Sequence, residues 1–317
     1  MTIQISGSIA FDTIMVFDGE FKAHILPEQV HMLNVAFLVP KMRQEFGGCA
    51  ANIGYSLAQL GSQVRLLGAV GRDGHAYLRR LRALSIDVSG VVIREDCFTP
   101  QAFITTDLAD NQITAFHPGA MSHAHETLPI AAAGGLGIVS PNGREAMIAH
   151  AEGFSRLQIP FVFDPGQAMP VFDGPSLLAL TTQASWLALN SYEAELMTKT
   201  TGLKIEDLVE RLRPHPQGGA VVTQGSQGVQ IHTRGGKTEL PAMRVETPLD
   251  PTGCGDAFRA GLLHGLQRGL SLVEAAELGV LLGGLKVQCR GGQNHQASPE
   301  TVRSAWSAQH GARACPI

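Results

Sequence analysis

The sequence predicts an α/β fold, with a doubly wound, mostly parallel sheet flanked by helices and a small β-sheet lid. From Gly137 onward, short apolar segments alternate with segments of helical spacing, which is typical of a parallel sheet with helices on its faces. Two other segments alternate with period two, which predicts antiparallel strands. We therefore expect a large domain formed by residues 1–13, 46–97 and 118–317. The lid is expected to be formed by residues 14–45 and 98–117.

Each element follows from a change of period along the chain. An apolar strand is expected at residues 2–6, ending at Gly7. The lid is expected to contain strands in residues 11–21 and 31–39 and a hairpin of residues 101–106 and 112–116 with its turn at Ala109-Asp110-Asn111. The expected helices of the large domain cover residues 52–60, 74–84, 142–156 and 191–201. Its later strands are expected at residues 64–71, 137–140, 161–164, 186–190 and 220–225.

The composition excludes several classes of protein. Of the 317 residues, 44% are hydrophobic and 16% are charged, against a usual ~25%, so the chain can form a large core. A net charge of −4 lacks the basic footprint of a nucleic-acid-binding protein. No segment approaches the ~18 apolar residues of a membrane span, and the N-terminus lacks signal-peptide features. The five cysteines form no CxxC pair, which disfavours a disulfide scaffold or zinc ribbon and favours the cytoplasm.

The segment DPTGCGD at residues 250–256 carries the strongest chemical signal. Apolar residues recur at helical spacing after Asp256, so the small residues before it begin a helix. Such a helix start leaves backbone N–H groups uncovered where the helix dipole is positive, which favours an anion. A carboxylate beside that anion site can accept the proton of a hydroxyl that attacks a phosphoryl group. The alternative is that Asp256 is only a helix N-cap.

Three further segments favour the chemical interpretation. GGCAAN at residues 47–52 begins a helix with glycines, which either allow a ligand close to the backbone or only permit helix packing. Asn190 and Glu193 follow a predicted strand, where they could equally form a capping box. TQGSQG at residues 223–228 is a polar, glycine-rich turn after another strand, at the sheet edge where α/β folds bind ligands.

Together with the N-terminal GSIAFD, these segments resemble the ribokinase-like, or PfkB, carbohydrate kinase family over nearly the whole chain. Within that family, GSIAFDTIMVF, ILPEQVHMLNVAFLV and FGGCAANIGYSLAQLG are most similar to bacterial adenosine-kinase-like nucleoside kinases. The resemblance implies a ribokinase-like fold. Cys254 departs from the alanine that is usual in the family, but cysteine is small and keeps its N–H, so the anion site is expected to survive.

The resemblance also implies the roles of individual residues. Asp256 is the expected general base, and the expected anion hole consists of Gly253, Cys254 and Gly255. The acceptor is expected to contact Ser8, Asp12, Gly48, Asn52, Phe103, Phe116 and Gln167. The two phenylalanines would surround a base, unless they only form the core of the lid. ATP is expected at Asn190, Thr223, Gly225 and Gly228, with Glu193 acting on Mg²⁺ through water. A monovalent cation such as K⁺ is expected at Asp250, Thr252, Val287, Arg290 and Gly292.

The predicted function is an ATP- and Mg²⁺-dependent phosphotransferase that places the γ-phosphate on the 5′-hydroxyl of adenosine or another ribonucleoside. A PfkB sugar kinase acting on ribose or fructose is the nearest alternative. A non-catalytic nucleoside- or sugar-binding relative is disfavoured because both Asp256 and Glu193 are present. A dehydrogenase is disfavoured because no GxGxxG occurs. The expected partners are small molecules, with no nucleic acid and no membrane, and an exposed edge of the lid could pair two subunits into a homodimer.

Overall fold

The computed structural model describes residues 1–25, 35–109 and 111–317, which form two sheets and their flanking helices. In chain order, the strands are β1 (Thr2–Ser6), β2 (Ala10–Val16), β3 (Lys41–Gly47), β4 (Gln63–Gly71), β5 (Val91–Arg94), β6 (Gln101–Thr106), β7 (Gln112–His117), β8 (Leu136–Val139), β9 (Phe161–Phe163), β10 (Trp186–Asn190), β11 (Gly219–Thr223), β12 (Val229–Thr233) and β13 (Gly236–Leu240). The helices are α1 (Cys49–Gln59), α2 (His75–Ala83), α3 (Arg144–Arg156), α4 (Gly174–Thr181), α5 (Ser191–Thr201), α6 (Ile205–Arg211), α7 (Cys254–Gln267), α8 (Leu272–Lys286) and α9 (Pro299–His310). Within these ranges, no helix is long and apolar enough to cross a membrane.

The large sheet has nine strands in the order β13-β12-β11-β10-β9-β8-β1-β4-β5. Its strands pair in parallel from β11 to β5, whereas β12 and β13 add an antiparallel hairpin at one edge. Helices α1, α7 and α8 enclose one apolar core, and α3 to α6 enclose another. Central strands such as β8 (LGIV) are wholly buried because helices cover both faces. The predicted fold class, including a small separate sheet, is confirmed.

The parallel strands bring several predicted site residues to one edge of the large sheet. β1 ends just before Gly7 and Ser8, whereas β10 and β11 end at Asn190 and Thr223. Asn190 and Thr223 are paired neighbours in the sheet register. The carboxyl ends of parallel strands are where α/β sheets bind ligands, so this edge is the candidate site.

The small sheet has the order β3-β2-β6-β7. β2 pairs in parallel with β6, and the two outer pairs are antiparallel. The predicted hairpin is present as β6 and β7. Asp110 of its predicted turn lies outside the described residues, and the Asp107 carboxylate accepts hydrogen bonds from the backbone amides of Ala109 and Asn111 on either side.

The strand predicted at residues 31–39 is wrong in its described part. Residues 35–39 form no strand, residues 31–34 lie outside the described residues, and the strand paired with β2 is β3. β3 reads KMRQEFG and its first four side chains are exposed, so no alternating apolar pattern marks it. Phe37, within the predicted strand, instead packs against Phe17 and Phe21. The centroid of its ring lies 5.0 Å and 4.9 Å, respectively, from the centroids of theirs. Phe37 therefore contributes to an aromatic cluster rather than to a strand.

Candidate active site

The start of α7 leaves backbone amides free at the edge of the large sheet. Gly253 is the N-cap, with a left-handed φ of 77°, and no side chain caps this helix. The amide of Cys254 donates to the Pro251 carbonyl at 3.1 Å, so the predicted anion-hole donor at this position is already used. The amides of Gly253 and Gly255 make no hydrogen bond to the described part of the chain. These two amides, at the positive end of α7, can therefore bind an anion.

Asp256 lies at the third position of α7 and does not cap it. Its Oδ2 accepts a hydrogen bond from Nδ2 of Asn52, at 2.8 Å. The interpretation of Asp256 as a simple N-cap is therefore wrong, because the N-cap is Gly253. Burial raises the pKa of Asp256 to about 6, against the opposing effects of the Asn52 hydrogen bond and the Arg259 charge. A half-buried carboxylate with that pKa is a stronger base than an exposed one.

Asn52 connects α1 to α7 through both atoms of its amide group. Its Oδ1 accepts a hydrogen bond from Nε2 of Gln293 at 3.1 Å while its Nδ2 binds Asp256. A Cβ added to Gly292 would lie 2.7 Å from Asn52 Oδ1, so glycine is needed there. Both amide atoms thus have protein partners, and the side chain holds Asp256 in one orientation.

The predicted acceptor residues Ser8, Asp12 and Gly48 lie together where β2 and α1 begin. Ser8 Oγ accepts from the amide of Cys49 at 3.0 Å. Gly48 has a φ of 89°, and a Cβ there would lie 2.6 Å from the Ser8 carbonyl oxygen. Burial, with the charges of Glu45 and Asp250, raises the pKa of Asp12 to about 6. The elevated carboxyl pKa values of Asp12 and Asp256 make this part of the edge a candidate chemical site.

The two predicted base-stacking residues lie on opposite faces of the small sheet. In the β6–β7 register, Phe116 is opposite Ala102 and Phe103 is opposite Ala115. Since opposed residues share a face and neighbours along a strand alternate, the two rings point away from each other. The prediction that both surround one base is therefore wrong. Phe116, which is 51% exposed, shares its face with Asp12 through the Asp12–Ala102 pairing.

The expected nucleotide side lies at the ends of β10 and β11. The Asn190 Oδ1 accepts from the Glu193 amide at 2.8 Å, and Glu193 Oε2 accepts from the Asn190 amide at 2.7 Å. The capping-box alternative is thus present. Gly225 has a φ of 57° and open space around it, whereas a Cβ on Gly228 would clash with the Leu240 carbonyl. Gly228 therefore has a structural role of its own.

The pfkB family carbohydrate kinase pattern matches residues 14–299.

The chain belongs to the pfkB family of carbohydrate kinases. It is 31% identical over 274 residues to the nucleoside kinase of Methanocaldococcus jannaschii, covering 83% of this chain and 85% of that protein. The Burkholderia thailandensis nucleoside kinase in complex with inosine superposes with a TM-score of 0.86 at 40% identity, covering 98% and 99% of the two chains. The same kinase in complex with ADP-inosine superposes with a TM-score of 0.84 at 42% identity, covering 98% of this chain and 97% of that chain. The predicted family and the predicted class of enzyme, a phosphotransferase acting on a hydroxyl group, are confirmed.

Two residues that connect parts of the candidate site of this pfkB kinase were missed in the sequence. The guanidinium of Arg259 donates to both oxygens of Asp164, from Nε at 2.6 Å and Nη2 at 2.8 Å. Nη2 also lies 3.8 Å from Glu193 Oε2, and Nη1 donates to the Gly255 carbonyl at 3.3 Å. Burial raises the pKa of Glu193, as does the Asp164 charge, and Arg259 opposes both. The buried guanidinium thus connects the α5 carboxylate with the start of α7.

A signal for this pair existed in the sequence. Asp164 directly follows β9, at the carboxyl end of a parallel strand, and Arg259 lies close behind Asp256 on α7. Each position alone is common, and only the sheet order brings the two together. Gln167, another predicted acceptor residue, lies exposed in the 3₁₀ turn Gly166–Val171 that follows β9.

The residues expected around a monovalent cation also lie close together in this pfkB kinase, but several of their oxygens already accept hydrogen bonds from the chain. The Asp250 carboxylate accepts from the amides of Thr252 and Gly291, both at 2.8 Å. Burial would raise the pKa of Asp250, but these hydrogen bonds hold it below its usual value. The Val287 carbonyl accepts from the amides of Leu249 at 2.8 Å and Asp250 at 3.1 Å. The Arg290 carbonyl accepts from Nδ2 of Asn294 at 2.9 Å.

Proposed function

We propose that the protein is an ATP-dependent nucleoside kinase in which Asp256 acts as the general base on the acceptor's 5′-hydroxyl. The observation that carries this proposal is the start of α7, where a carboxylate of raised pKa lies beside two uncovered backbone amides. The nucleoside kinase relatives support the class of acceptor. A pKa of about 6 leaves most Asp256 side chains ionised near pH 7 and therefore able to accept a proton.

In the proposed reaction, the hydroxyl proton passes to Asp256 as the hydroxyl oxygen bonds to the γ-phosphorus. The bond between that phosphorus and the β–γ bridging oxygen breaks, and ADP leaves. The free amides of Gly253 and Gly255 lie at the helix end, where they would stabilise the charge on the transferred group. Asn52 contributes by holding the Asp256 carboxylate in place.

The nucleotide is proposed to bind along the ends of β10 and β11, near Asn190, Thr223 and Gly225. Within the described residues, no group of three or more acidic, histidine or cysteine side chains is arranged to bind a metal directly. Glu193 nevertheless fits a hydrated ion, because its Oε2 binds the Asn190 amide while its Oε1 makes no hydrogen bond within the described ranges. Mg²⁺ supplies neutralisation of phosphate charge when bound.

The acceptor is proposed to bind between β2 and α1, with its ribose at Ser8, Asp12 and Gly48. Phe116 lies on the same face of the small sheet as Asp12, where it can contact a flat base. A buried polar site for ribose hydroxyls rejects analogues without them, so deoxyribonucleosides should be poor substrates. Stacking tolerates any base, so the preference among bases should be graded. The small sheet is proposed to act as a lid over this acceptor.

A substrate panel tests the acceptor. With ATP and Mg²⁺, ribonucleosides should exceed ribose and fructose in kcat/KM. The Phe116→Ala variant should raise KM for nucleosides by about 10-fold, a loss of ~1.4 kcal/mol, because it removes contact with the base. Phe103→Ala is the matched control and should leave KM unchanged, because Phe103 is on the other face. A free sugar that exceeds every nucleoside would favour the sugar kinase instead.

Two further predictions concern the cellular compartment and the oligomeric state. The five cysteines are free, which fits the proposed reducing cytoplasm. β3 and β7 are the outer strands of the small sheet, and every residue of β7 is exposed. Pairing of such an edge is the proposed route to a homodimer, and the molecular mass in solution tests it.

A further inference from the structure

The residues that the family resemblance assigns to a monovalent cation do not fit one in this chain. Both oxygens of the Asp250 carboxylate already accept backbone amides, at 2.8 Å each. The Val287 carbonyl likewise accepts two amides, from Leu249 and Asp250. A cation such as K⁺ needs several oxygens that face one point, and the hydrogen bonds on Asp250 and Val287 compete with it for theirs.

A positive charge from the chain itself lies at this place instead. Lys286, the last residue of α8, is fully buried. Its Nζ donates to the backbone carbonyls of Asp250 and Cys289, at 2.8 Å each. Its charge also helps to keep the pKa of the Asp250 carboxyl low, although burial acts in the other direction. Lysine is rarely buried completely, and a buried ammonium requires such hydrogen bonds.

The position of this ammonium relates it to the anion site. The Asp250 carbonyl that it binds is three residues before Gly253, which caps α7. The same segment carries the Pro251 carbonyl that accepts the Cys254 amide. Directly after α8, the carbonyl of its C-cap residue Val287 accepts a hydrogen bond from the Asp250 amide. Both backbone groups of Asp250 are therefore hydrogen-bonded to the end of α8. Its N–H donates to the Val287 carbonyl, and its carbonyl accepts from Lys286 Nζ.

We propose that Lys286 is a built-in cation, a positioning residue that holds the Asp250–Gly253 segment so that the amides of Gly253 and Gly255 face the transferred phosphoryl group. The enzyme accordingly needs no added K⁺. This inference rests on the proposed function of the α7 start. It replaces the expected K⁺ site with a side chain that the resemblance did not include.

The first test compares kcat of the wild-type kinase in the chlorides of potassium, sodium and tetramethylammonium at equal ionic strength. The expected result is the same rate in all three, within about 2-fold. Activation of ~10-fold or more by K⁺ alone would overturn the inference and leave the kinase assignment intact. If no nucleoside is phosphorylated in any salt, the proposed function has failed, and the melting temperatures of the variants described next decide the inference.

The second test uses Lys286→Ala and Lys286→Met, with Gln288→Met as the matched control. Gln288 lies two residues after Lys286, is exposed, and its side chain donates to the Gly284 carbonyl. Lys286→Ala should lose ~10-fold or more in kcat in tetramethylammonium and regain part of it, with a higher melting temperature, in K⁺ or NH₄⁺. Lys286→Met fills the space with an apolar chain, so neither its kcat nor its melting temperature should rise in K⁺ or NH₄⁺.

The outcomes separate positioning from simple packing. A Lys286→Ala variant with wild-type kcat in tetramethylammonium would show that the ammonium does not position the segment. A folded variant that no small cation rescues, in rate or in melting temperature, would show that the buried stem matters and the charge does not. If neither variant folds, the wild-type salt comparison alone decides. Gln288→Met should behave as the wild type in every salt.

Discussion

Helices α5 and α7 both begin at the candidate site, and both carry an acidic residue at their third position. In α5, Asn190 caps the helix and Glu193 completes a capping box, so the acid binds the backbone of its own helix start. In α7, the cap is Gly253, no side chain binds the free amides, and the acid Asp256 binds Asn52 on another helix. The same position therefore serves helix stability in one case and is available for chemistry in the other.

The difference comes from the residue at the cap. The side chain of an asparagine cap accepts a hydrogen bond from the amide of the acidic residue. The carboxylate of that residue then accepts one from the amide of the asparagine. A glycine in the left-handed region provides no acceptor, so amides remain for a ligand and the acid is free to turn elsewhere. Arg259 joins the two helix starts, because it lies 3.8 Å from Glu193 and donates to the Gly255 carbonyl. Three substitutions test this comparison.

The largest effect is expected for Asp256→Asn. The amide cannot accept the hydroxyl proton, so kcat should fall by ~10²–10⁴-fold. Because the folded-state pKa of Asp256 is raised from 3.8 to about 6, ionisation of Asp256 removes stability as the pH rises between these two values. The variant should therefore melt at the same or a higher temperature than the wild type near pH 7. Steady-state kinetics and thermal melting measure both. Retention of more than about a tenth of wild-type kcat would show that α7, like α5, uses its acid structurally.

A smaller effect is expected for Asn52→Ala, which removes the partner of the α7 acid. Catalysis requires ionised Asp256, so wild-type kcat should fall as the pH drops below about 6. The Asn52 hydrogen bond lowers the pKa of Asp256, so its loss should move this acidic limb to higher pH and reduce kcat by about 10-fold.

The control for Asn52 is Ser56→Ala on the same helix. Ser56 binds the Asn52 carbonyl and His295 but not Asp256, so its loss should leave the acidic limb in place. An unmoved limb in Asn52→Ala would contradict the assignment of that limb to Asp256.

The smallest effect is expected for Glu193→Gln. Glutamine can complete the capping box, so the melting temperature should change little. The lost carboxylate charge should lower kcat by about 10-fold or less and raise the Mg²⁺ concentration needed for half-maximal rate. Glu195→Gln, exposed on the same helix, should change neither. A Mg²⁺ titration identical to that of the wild type would assign Glu193 to the cap alone and sharpen the contrast with Asp256.

The pattern at residues 250–256 correctly predicted a helix start with uncovered amides because the physics of such a start is local. A glycine at the cap and small residues after it uncover amides within a single turn, and that turn is written in consecutive residues. The capping-box alternative at Asn190 was readable for the same reason. The strand at Lys41–Gly47 was missed because its exposed polar side chains give no period.

What the sequence by itself determined is the alternation of strands and helices, the family and the local helix starts, since each depends on neighbouring residues. The tertiary structure alone decided which distant groups meet. Asp164 pairs with Arg259 and Asn52 with Asp256 because the order of parallel strands brings their ends together. The face of Phe116 depends on strand register, which a one-residue shift would reverse. The contact of Lys286 with Asp250 depends on how the end of α8 meets the segment before α7, and no local pattern encodes such a meeting.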